Sequence, residues 1–147
     1  MNEYPKLNFP AIRLQAQRRG EQTLVWDALR GRHLVLTPEE WVRRHLIAYL
    51  CNSCGVEPLS LVQEYPVPLN GMPQRADVVV VDKEGKPIIL VECKACDVKI
   101  DKDVYAQAVR YNSVVGARYL ILTNGLTHFC FEYLEGEYRQ MRSFPQL

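Results

Sequence analysis

The chain has 147 residues, a formal net charge of +1 and 48% hydrophobic residues. This length suffices for one domain with its own core, and the near-neutral charge argues against a general polyanion binder. No stretch reaches the ~18 apolar residues of a membrane span, and Lys6 and Pro10 interrupt any hydrophobic region of a signal peptide. We therefore expect a soluble, cytoplasmic protein with no membrane partner.

Residues 1–36 have no strong hydrophobic period and are expected to form an amino-terminal arm or extension. Leu24 to Trp26 could form a short strand that packs on the core or reaches a partner. Charge is uneven, since residues 1–50 contain eight Lys/Arg against five Asp/Glu. The candidates for phosphate contacts are Arg13, Arg18, Arg19, Arg30 and Arg32, although scattered arginines are often simply solvated.

A first helix is predicted to begin at Thr37. Thr37 can serve as the N-cap, Pro38 suits the first helical position, and Glu40 can complete a capping box. An apolar stripe follows at helical spacing, and Gly55 ends the helix. A strand from Leu59 to Pro68 then leads into a hairpin turn at Asn70-Gly71.

Two β-branched-rich runs, 75–82 and 87–94, predict a second antiparallel hairpin around a short glycine-containing loop. Both alternating sets of positions in these runs are apolar, which is typical of central strands that are covered on both faces. The predicted register pairs Asp82 with Pro87. A bulge or a slip of one residue would change that register.

Two carboxylates become neighbours in this predicted register, because it places Asp77 opposite Glu92. Arg75 and Lys94 would share their face, since side chains alternate along a strand. Opposed β-carbons lie about 4.5–5.5 Å apart, which allows both carboxylates to bind one Mg²⁺ ion. The alternative is a solvated sheet face on which the four charges have no site role.

A second helix is predicted from an Asp101 cap to about Val115, and Gly116 ends it. Tyr119 to Thr123 is a buried strand, and a turn at Asn124-Gly125 leads to a last strand from His128 to Tyr133. The predicted order is a helix, three antiparallel strands, a helix and one or two further strands. This order defines an α/β or α+β fold, with a central mixed sheet flanked by helices.

Five cysteines include two short-spaced pairs, which could in principle hold structural zinc. The pairs are Cys51 with Cys54 and Cys93 with Cys96. Core packing is the favoured interpretation, because Cys51 ends a helical pattern and Cys93 lies within an apolar strand. An odd cysteine count also argues against a disulfide framework and fits a reducing compartment.

An aspartate followed on the next strand by Glu-x-Lys is the set of groups that metal-assisted phosphodiester hydrolysis requires. Asp77 and Glu92 would hold Mg²⁺ or Mn²⁺. Lys94 would position the nucleophile or stabilise developing charge. The pattern alone is weak, because these residue types are common.

The surrounding motifs make the pattern more specific. They are Thr37-Pro38-Glu39-Glu40-Trp41-Val42-Arg43, Arg75-Ala76-Asp77, Leu90-Val91-Glu92-Cys93-Lys94, Gln107-Ala108-Val109-Arg110-Tyr111-Asn112 and Tyr119-Leu120-Ile121-Leu122-Thr123-Asn124-Gly125. With these motifs the chain resembles a PD-(D/E)XK nuclease-fold protein, specifically the N-terminal domain of type I restriction enzyme R subunits. The resemblance implies a restriction-endonuclease-like domain at 37–147 with the order αβββαβ, and it covers about residues 37–133.

The resemblance also implies roles for six residues. Asp77 and Glu92 would be metal ligands and Lys94 the catalytic lysine, while Glu40 would be the helix carboxylate that completes the site. Glu40 is otherwise a capping residue, and Glu39 is a second candidate for its role. Gln107 and Tyr111 would match the Gln-x-x-x-Tyr motif of the RecB-type branch, although they could equally be a surface glutamine and a core aromatic.

Two departures from the family pattern affect the functional hypotheses. Ala76 stands where the fold's eponymous proline would be, and the sequence has no Gly-x-x-x-x-Gly-Lys-Ser/Thr loop for ATP phosphates. The first hypothesis is a Mg²⁺- or Mn²⁺-dependent DNA endonuclease-like domain, with DNA and a helicase/translocase or specificity subunit as expected partners. The second is a non-catalytic nuclease-fold module that binds nucleic acid or a protein.

Overall fold

The computed structural model describes residues 4–147, which form two helices and two sheets. Helix α1 spans Pro38–Ser53 and helix α2 spans Lys102–Val115. The small sheet contains β1 (Ala16–Arg19), β2 (Gln22–Asp27) and β3 (Arg32–Val35), in that order. The large sheet contains, in spatial order, β4 (Leu61–Leu69), β5 (Met72–Val81), β6 (Pro87–Cys93), β7 (Tyr119–Thr123), β8 (His128–Leu134) and β9 (Glu137–Met141).

The predicted order αβββαβ is confirmed by α1, β4, β5, β6, α2 and β7. Strands β6 and β7 pair in parallel, as a crossover through α2 requires, and the other neighbours in the large sheet are antiparallel. Apolar side chains from both faces of this sheet form two clusters, one with α1 and one with α2. The sheet is therefore central and mixed, and helices flank it as expected.

Local sequence signals set the ends of both helices. The Thr37 hydroxyl accepts the Glu40 backbone N–H at 3.0 Å, so half of the predicted capping box forms. The Glu40 side chain does not complete the box, because it binds two arginines instead. Asp101 caps α2, and Gly116 ends it in the left-handed conformation with φ of 76°.

The central hairpin differs from the predicted register at its loop end. Val81, not Asp82, pairs with Pro87, and Ile88 is an extra residue at a bulge. Farther along, Val78 pairs with Val91, so the two strands return to the predicted register. The predicted pairing of Asp82 with Pro87 is thus wrong. The predicted alignment of the two strands next to Asp77 is nevertheless present, because Val78 pairs with Val91.

The amino-terminal segment is more ordered than the sequence indicated, because β1, β2 and β3 form an antiparallel sheet. Val25 in this sheet is fully buried. Leu7 and Phe9 are also buried, in the cluster that includes α1. The Asn8 N–H donates to the Gly125 carbonyl at 2.8 Å, so this segment crosses the β7–β8 turn. The division of the chain at residue 37 stays a prediction.

Two smaller features extend the predicted pattern. The Asn70-Gly71 turn forms with both residues at positive φ, as a two-residue hairpin turn requires. Strand β9 is the second of the one or two further strands expected after β7. Neither α1 nor α2, the helices of the described residues, is long and apolar enough to cross a lipid bilayer.

Candidate active site

Asp77 lies where the backbone of β5 changes face. Ala76 packs in the cluster with α2 and Val78 in the cluster with α1, although these residues would share a face in a regular strand. In β4, Glu64 has a φ of 57° and lies between the paired residues Gln63 and Tyr65. Both strands are therefore distorted at one level of the sheet. Strain of this kind is concentrated at functional sites.

Glu92 and Lys94 occupy the carboxyl end of β6. Glu92 lies beside Leu122 of the parallel strand β7, and the Lys94 N–H donates to the Thr123 carbonyl at 2.9 Å. The Cys93 N–H donates to Asp77 Oδ2 at 2.7 Å, which fixes the Asp77 carboxyl against the end of β6. The carboxyl ends of strands are where open α/β sheets bind ligands.

Asp77 and Glu92 form a close carboxyl pair. Burial and the nearby Asp77 charge raise the pKa of Glu92 to about 9. Burial also raises the pKa of Asp77, although its bonds from Cys93 and Glu92 act in the opposite direction. Glu92 is only 6% exposed, and its Oε1 atom is buried without a hydrogen-bond partner. At neutral pH the metal-free pair therefore holds a proton.

Lys94 and Glu39 complete the charge distribution of the pair. The Lys94 ammonium lowers the pKa of Asp77, of Glu92 and of Glu39, so it lies near all three carboxyls. Burial raises the pKa of Glu39, and the Asp77 charge raises it further. Of the two acidic side chains of α1, Glu39 is therefore the one whose pKa is raised by the Asp77 charge.

Glu40 points into a different group of charges. It accepts hydrogen bonds from Arg43 Nε at 2.9 Å and from Arg44 Nε at 2.8 Å. Burial alone would raise the pKa of Glu40, but the two arginines lower it below its usual range. Helix geometry thus separates adjacent residues: Glu39 faces the carboxyl pair, and Glu40 is held by Arg43 and Arg44. The site role that the resemblance implies for Glu40 stays a prediction, and Glu39 is the better placed candidate.

Arg43 connects this charge group to the distorted strands. It donates to Glu64 Oε1 at 2.9 Å and to the Asp77 backbone carbonyl at 3.3 Å. A pocket of about 490 Å³ lies beside these groups, and Glu39, Arg43, Glu64 and Ala95 contribute to its lining. Glu40 also lines this pocket, whereas Asp77, Glu92 and Lys94 are not among its lining residues. Arg75 does not line it either; its side chain is 70% exposed, and its Nη1 atom lies 3.7 Å from Glu64 Oε2.

The predicted Gln-x-x-x-Tyr pair of α2 forms its own hydrogen bonds. Gln107 Nε2 donates to the Tyr111 hydroxyl at 2.9 Å, and that hydroxyl donates to Gln74 Oε1 of β5 at 3.3 Å. Tyr111 is buried among the residues of the cluster with α2. The chain from Gln107 to Gln74 therefore ties α2 to the strand that carries Asp77.

The structure brings together Asp77, Glu92 and Lys94 as the sequence suggested, and it places Glu39, the second candidate for the Glu40 role, near them. Sequence reasoning did not single out Arg43 or Glu64. Arg43 lies within the quoted Thr37–Arg43 motif, which was the available signal. Nothing in the sequence indicates the positive φ of Glu64, because the favoured residues there are glycine and asparagine.

The carboxyl pair fits a divalent cation that prefers oxygen ligands. Within residues 4–147, no group of three or more His, Cys, Asp and Glu side chains could hold a metal ion, so the pair alone is not a full ligand set. Mg²⁺ does not require one, because it commonly binds one or two carboxylates and keeps several waters. The unpartnered Glu92 Oε1 atom is a donor of the right type.

The cysteines pack into the core in the described part of the chain. All five are free thiols. Cys54, Cys93 and Cys130 are buried in the cluster with α1, and Cys51 and Cys96 pack against it. The cysteine pairs thus contribute to the apolar core, as the favoured interpretation expected.

The fold, a mixed six-stranded sheet flanked by two helices, is consistent with the restriction-endonuclease-like class. A family model described as Type I restriction enzyme R protein N terminus matches residues 38–145. The chain belongs to this family, because the match covers well over half of its length.

One solved structure supports the same fold. It is described as a fragment of an HsdR subunit of a type I restriction enzyme from Vibrio vulnificus YJ016, with 22% sequence identity and a TM-score of 0.57. The similarity covers 76% of this chain but only 24% of that one. No curated protein matches the chain at comparable significance.

Proposed function

We propose that this domain hydrolyses phosphodiester bonds of DNA with Mg²⁺ or Mn²⁺. The observation that carries the proposal is the buried Asp77–Glu92 pair with its unpartnered Oε1 atom, next to the Lys94 ammonium. A buried acid pair that must hold a proton in the absence of a cation is a poor structural element. Their cost to stability is accounted for if they hold an ion during turnover.

Each residue of the site has a distinct task in this proposal. Asp77 and Glu92 would hold the ion, which would supply Lewis-acid activation of the phosphate and of the attacking water. Lys94 has no lone pair for a metal, so it would orient the nucleophile and stabilise negative charge on the phosphate. Glu39 would accept a hydrogen bond from water at the mouth of the site.

Gln107 and Tyr111 would act on the DNA side of α2. Because Tyr111 is buried and bonded to Gln74, it fixes the Gln107 amide in one direction. The Gln107 carbonyl oxygen would then be available to the DNA. We propose that a helicase/translocase or a specificity subunit is a partner of this domain, as expected for a type I restriction enzyme.

Nicking of supercoiled plasmid at high protein concentration tests the proposal. Lys94→Ala should cleave at least ~10²-fold more slowly than wild type, the scale expected when a positioned catalytic group is lost. Lys99→Ala is the matched control, because Lys99 is exposed in the next loop. Equal nicking by wild type and Lys94→Ala would contradict the proposal and indicate a contaminating nuclease.

The second candidate function is a non-catalytic module that binds nucleic acid or a protein partner. It is favoured by one observation: Glu40 is held by Arg43 and Arg44, so it does not join the Asp77–Glu92 pair. Under this alternative, wild-type protein would bind DNA without cleaving it in either Mg²⁺ or Mn²⁺.

A further inference from the structure

The small amino-terminal sheet has an exposed face that the candidate active site does not use. Trp26 of β2 is 37% exposed, although tryptophan is normally well buried. It pairs with His33 of β3, and the two ring centroids are 5.0 Å apart at an interplanar angle of 64°. The register also places Gln17 and Arg19 of β1 on this face.

A concavity lies beside the Trp26 ring. Its volume is about 300 Å³, and it is lined by Gln15, Ala16, Gln17, Trp26 and His33. The Trp26 backbone N–H donates to the Gln15 carbonyl at 2.9 Å, so the backbone that carries the ring is fixed to the neighbouring strand segment. An aromatic ring with two amide side chains around a shallow hollow offers one stacking surface and several hydrogen-bonding groups.

The amino-terminal segment that carries this face has an excess of positive charge. Residues 1–36 contain six Lys/Arg and three Asp/Glu, whereas residues 37–147 contain twelve and fourteen. Asp27 is buried and paired with Arg30 and Arg44, so it does not offset the surface charge. The exposed charges of residues 4–36 are Lys6, Arg13, Arg18, Arg19, Arg32 and one acid, Glu21.

We propose that this face binds single-stranded DNA, with one base stacked on Trp26. Base–aromatic stacking combined with positive charge is the usual basis of single-strand binding. The Gln15 and Gln17 amides would contact the edge of the stacked base, and Arg19 would contact the backbone. The choice of DNA as the nucleic acid rests on the proposed hydrolysis, but binding at this face does not require cleavage.

The face is connected directly to the candidate active site. Strand β3 leads through Leu36 and Thr37 into α1, and Glu39 lines the 490 Å³ pocket. Glu39 follows His33 by six positions, so their α-carbons lie at most about 22 Å apart. This corresponds to at most about six nucleotide steps of a helical strand. One strand of DNA could therefore contact both places.

Intrinsic fluorescence tests the stacking contact. The probe is a dT-rich 20-nucleotide single strand, titrated in chelator so that cleavage cannot occur. Quenching is expected in wild type and should be lost in Trp26→Phe, in which Trp41 remains as the reference emitter. Equal quenching in wild type and Trp26→Phe would overturn the proposal, because the signal would then come from Trp41.

The fluorescence anisotropy of a labelled single strand measures how much the Trp26 contact contributes to the binding affinity. Trp26→Ala should weaken binding at least ~5-fold. Trp26→Phe should retain most of the affinity, because phenylalanine can also stack on a base. This second variant keeps the test valid if the alanine variant fails to fold. Arg19→Gln should lower the salt dependence of binding, and Lys83→Gln in the β5–β6 loop should not. Unchanged affinity of both Trp26 variants and of Arg19→Gln would overturn the proposal, even if the plasmid were still cleaved.

Discussion

Glu92 is a buried carboxyl that keeps its proton at neutral pH. Its pKa rises from 4.5 to about 9 because burial penalises the ion and Asp77 lies beside it. A group whose pKa is higher in the folded state contributes stability at low pH and loses it as the pH increases. The raised pKa of Glu92, a candidate metal ligand, can thus be measured through the pH dependence of stability in the absence of metal.

We predict that the free energy of unfolding falls as the pH rises from about 5 to about 9 in chelator. In this window the unfolded carboxyl is ionised and the folded one is protonated, so one proton contributes at most ~1.4 kcal/mol per pH unit. Glu92→Gln should remove this contribution. Urea unfolding of both proteins at several pH values measures the difference in slope.

Parallel slopes of wild type and Glu92→Gln would contradict the raised pKa of Glu92. Mn²⁺ provides an independent check, since a ligand that binds only the folded state raises the melting temperature. The increment should appear in wild type and be absent in Glu92→Gln.

Glu39 and Glu40 should respond differently to the same substitution. Glu39→Gln is expected to reduce cleavage and leave stability nearly unchanged, because Glu39 is exposed at the mouth of the site. Glu40→Gln should destabilise the fold by about 3 kcal/mol, since the buried Arg43 and Arg44 lose the carboxylate that they share. Cleavage rates and urea unfolding measure both effects. The reverse pattern would return the site role to Glu40.

The sequence predicts the Asp77–Glu92 pair because strand alternation and the apolar runs fix the register around these positions. It cannot separate Glu39 from Glu40, because both follow the same N-cap and differ by one helical step of about 100°. The choice depends on Arg44, which Gln63 and Asp27 bind from outside the helix. Those contacts exist only once the small sheet has packed.

At the level of elements, the distortions of the large sheet are the features that the sequence does not reveal. The bulge at Ile88 and the left-handed backbone of Glu64 occur in runs with ordinary strand composition. Both depend on the contacts of neighbouring strands rather than on local preference. Helix ends, in contrast, were predictable at Thr37 and Gly116, where a cap residue acts on its own backbone.

Helix α2 should influence activity through one hydroxyl group. Tyr111→Phe removes the bonds to Gln107 and Gln74 but keeps the ring in the core, so the loss of stability should be about 1 kcal/mol. Cleavage should fall because Gln107 is no longer oriented. Plasmid nicking and urea unfolding measure the two effects.

Tyr105→Phe is the control for this prediction. Tyr105 lies on the same helix and packs its ring against Phe131, at a centroid distance of 5.0 Å. It should cleave at the wild-type rate. Wild-type cleavage by Tyr111→Phe would show that this pair is purely structural.

At the level of the whole molecule, one buried charge group joins the two sheets. Asp27 of the small sheet is 1% exposed and binds Arg30 of the β2–β3 turn, Arg44 of α1 and Gln63 of β4. Its pKa is lowered, because the arginines outweigh the effect of burial. The small sheet is therefore held to the core by charge as well as by Val25.

Asp27→Asn should destabilise the whole protein by about 3 kcal/mol, since it removes the buried carboxylate that pairs with Arg30 and Arg44. Unfolding should remain one transition for circular dichroism and for fluorescence, because the two sheets share the charge group. The exposed Asp97→Asn is the control. Loss of Trp26 signal before the circular dichroism signal would show that the small sheet unfolds independently.

The path of the amino-terminal segment over the β7–β8 turn has a kinetic consequence. Asn8 Nδ2 donates to the carbonyl of Leu126, which lies 118 residues later in the chain. Closing a loop of that length costs about 4 kcal/mol of chain entropy, and the turn that receives Asn8 must already exist. Leu7 and Phe9 should thus be the last core side chains to become buried during refolding. Their backbone amides should exchange hydrogen sooner than those of β6.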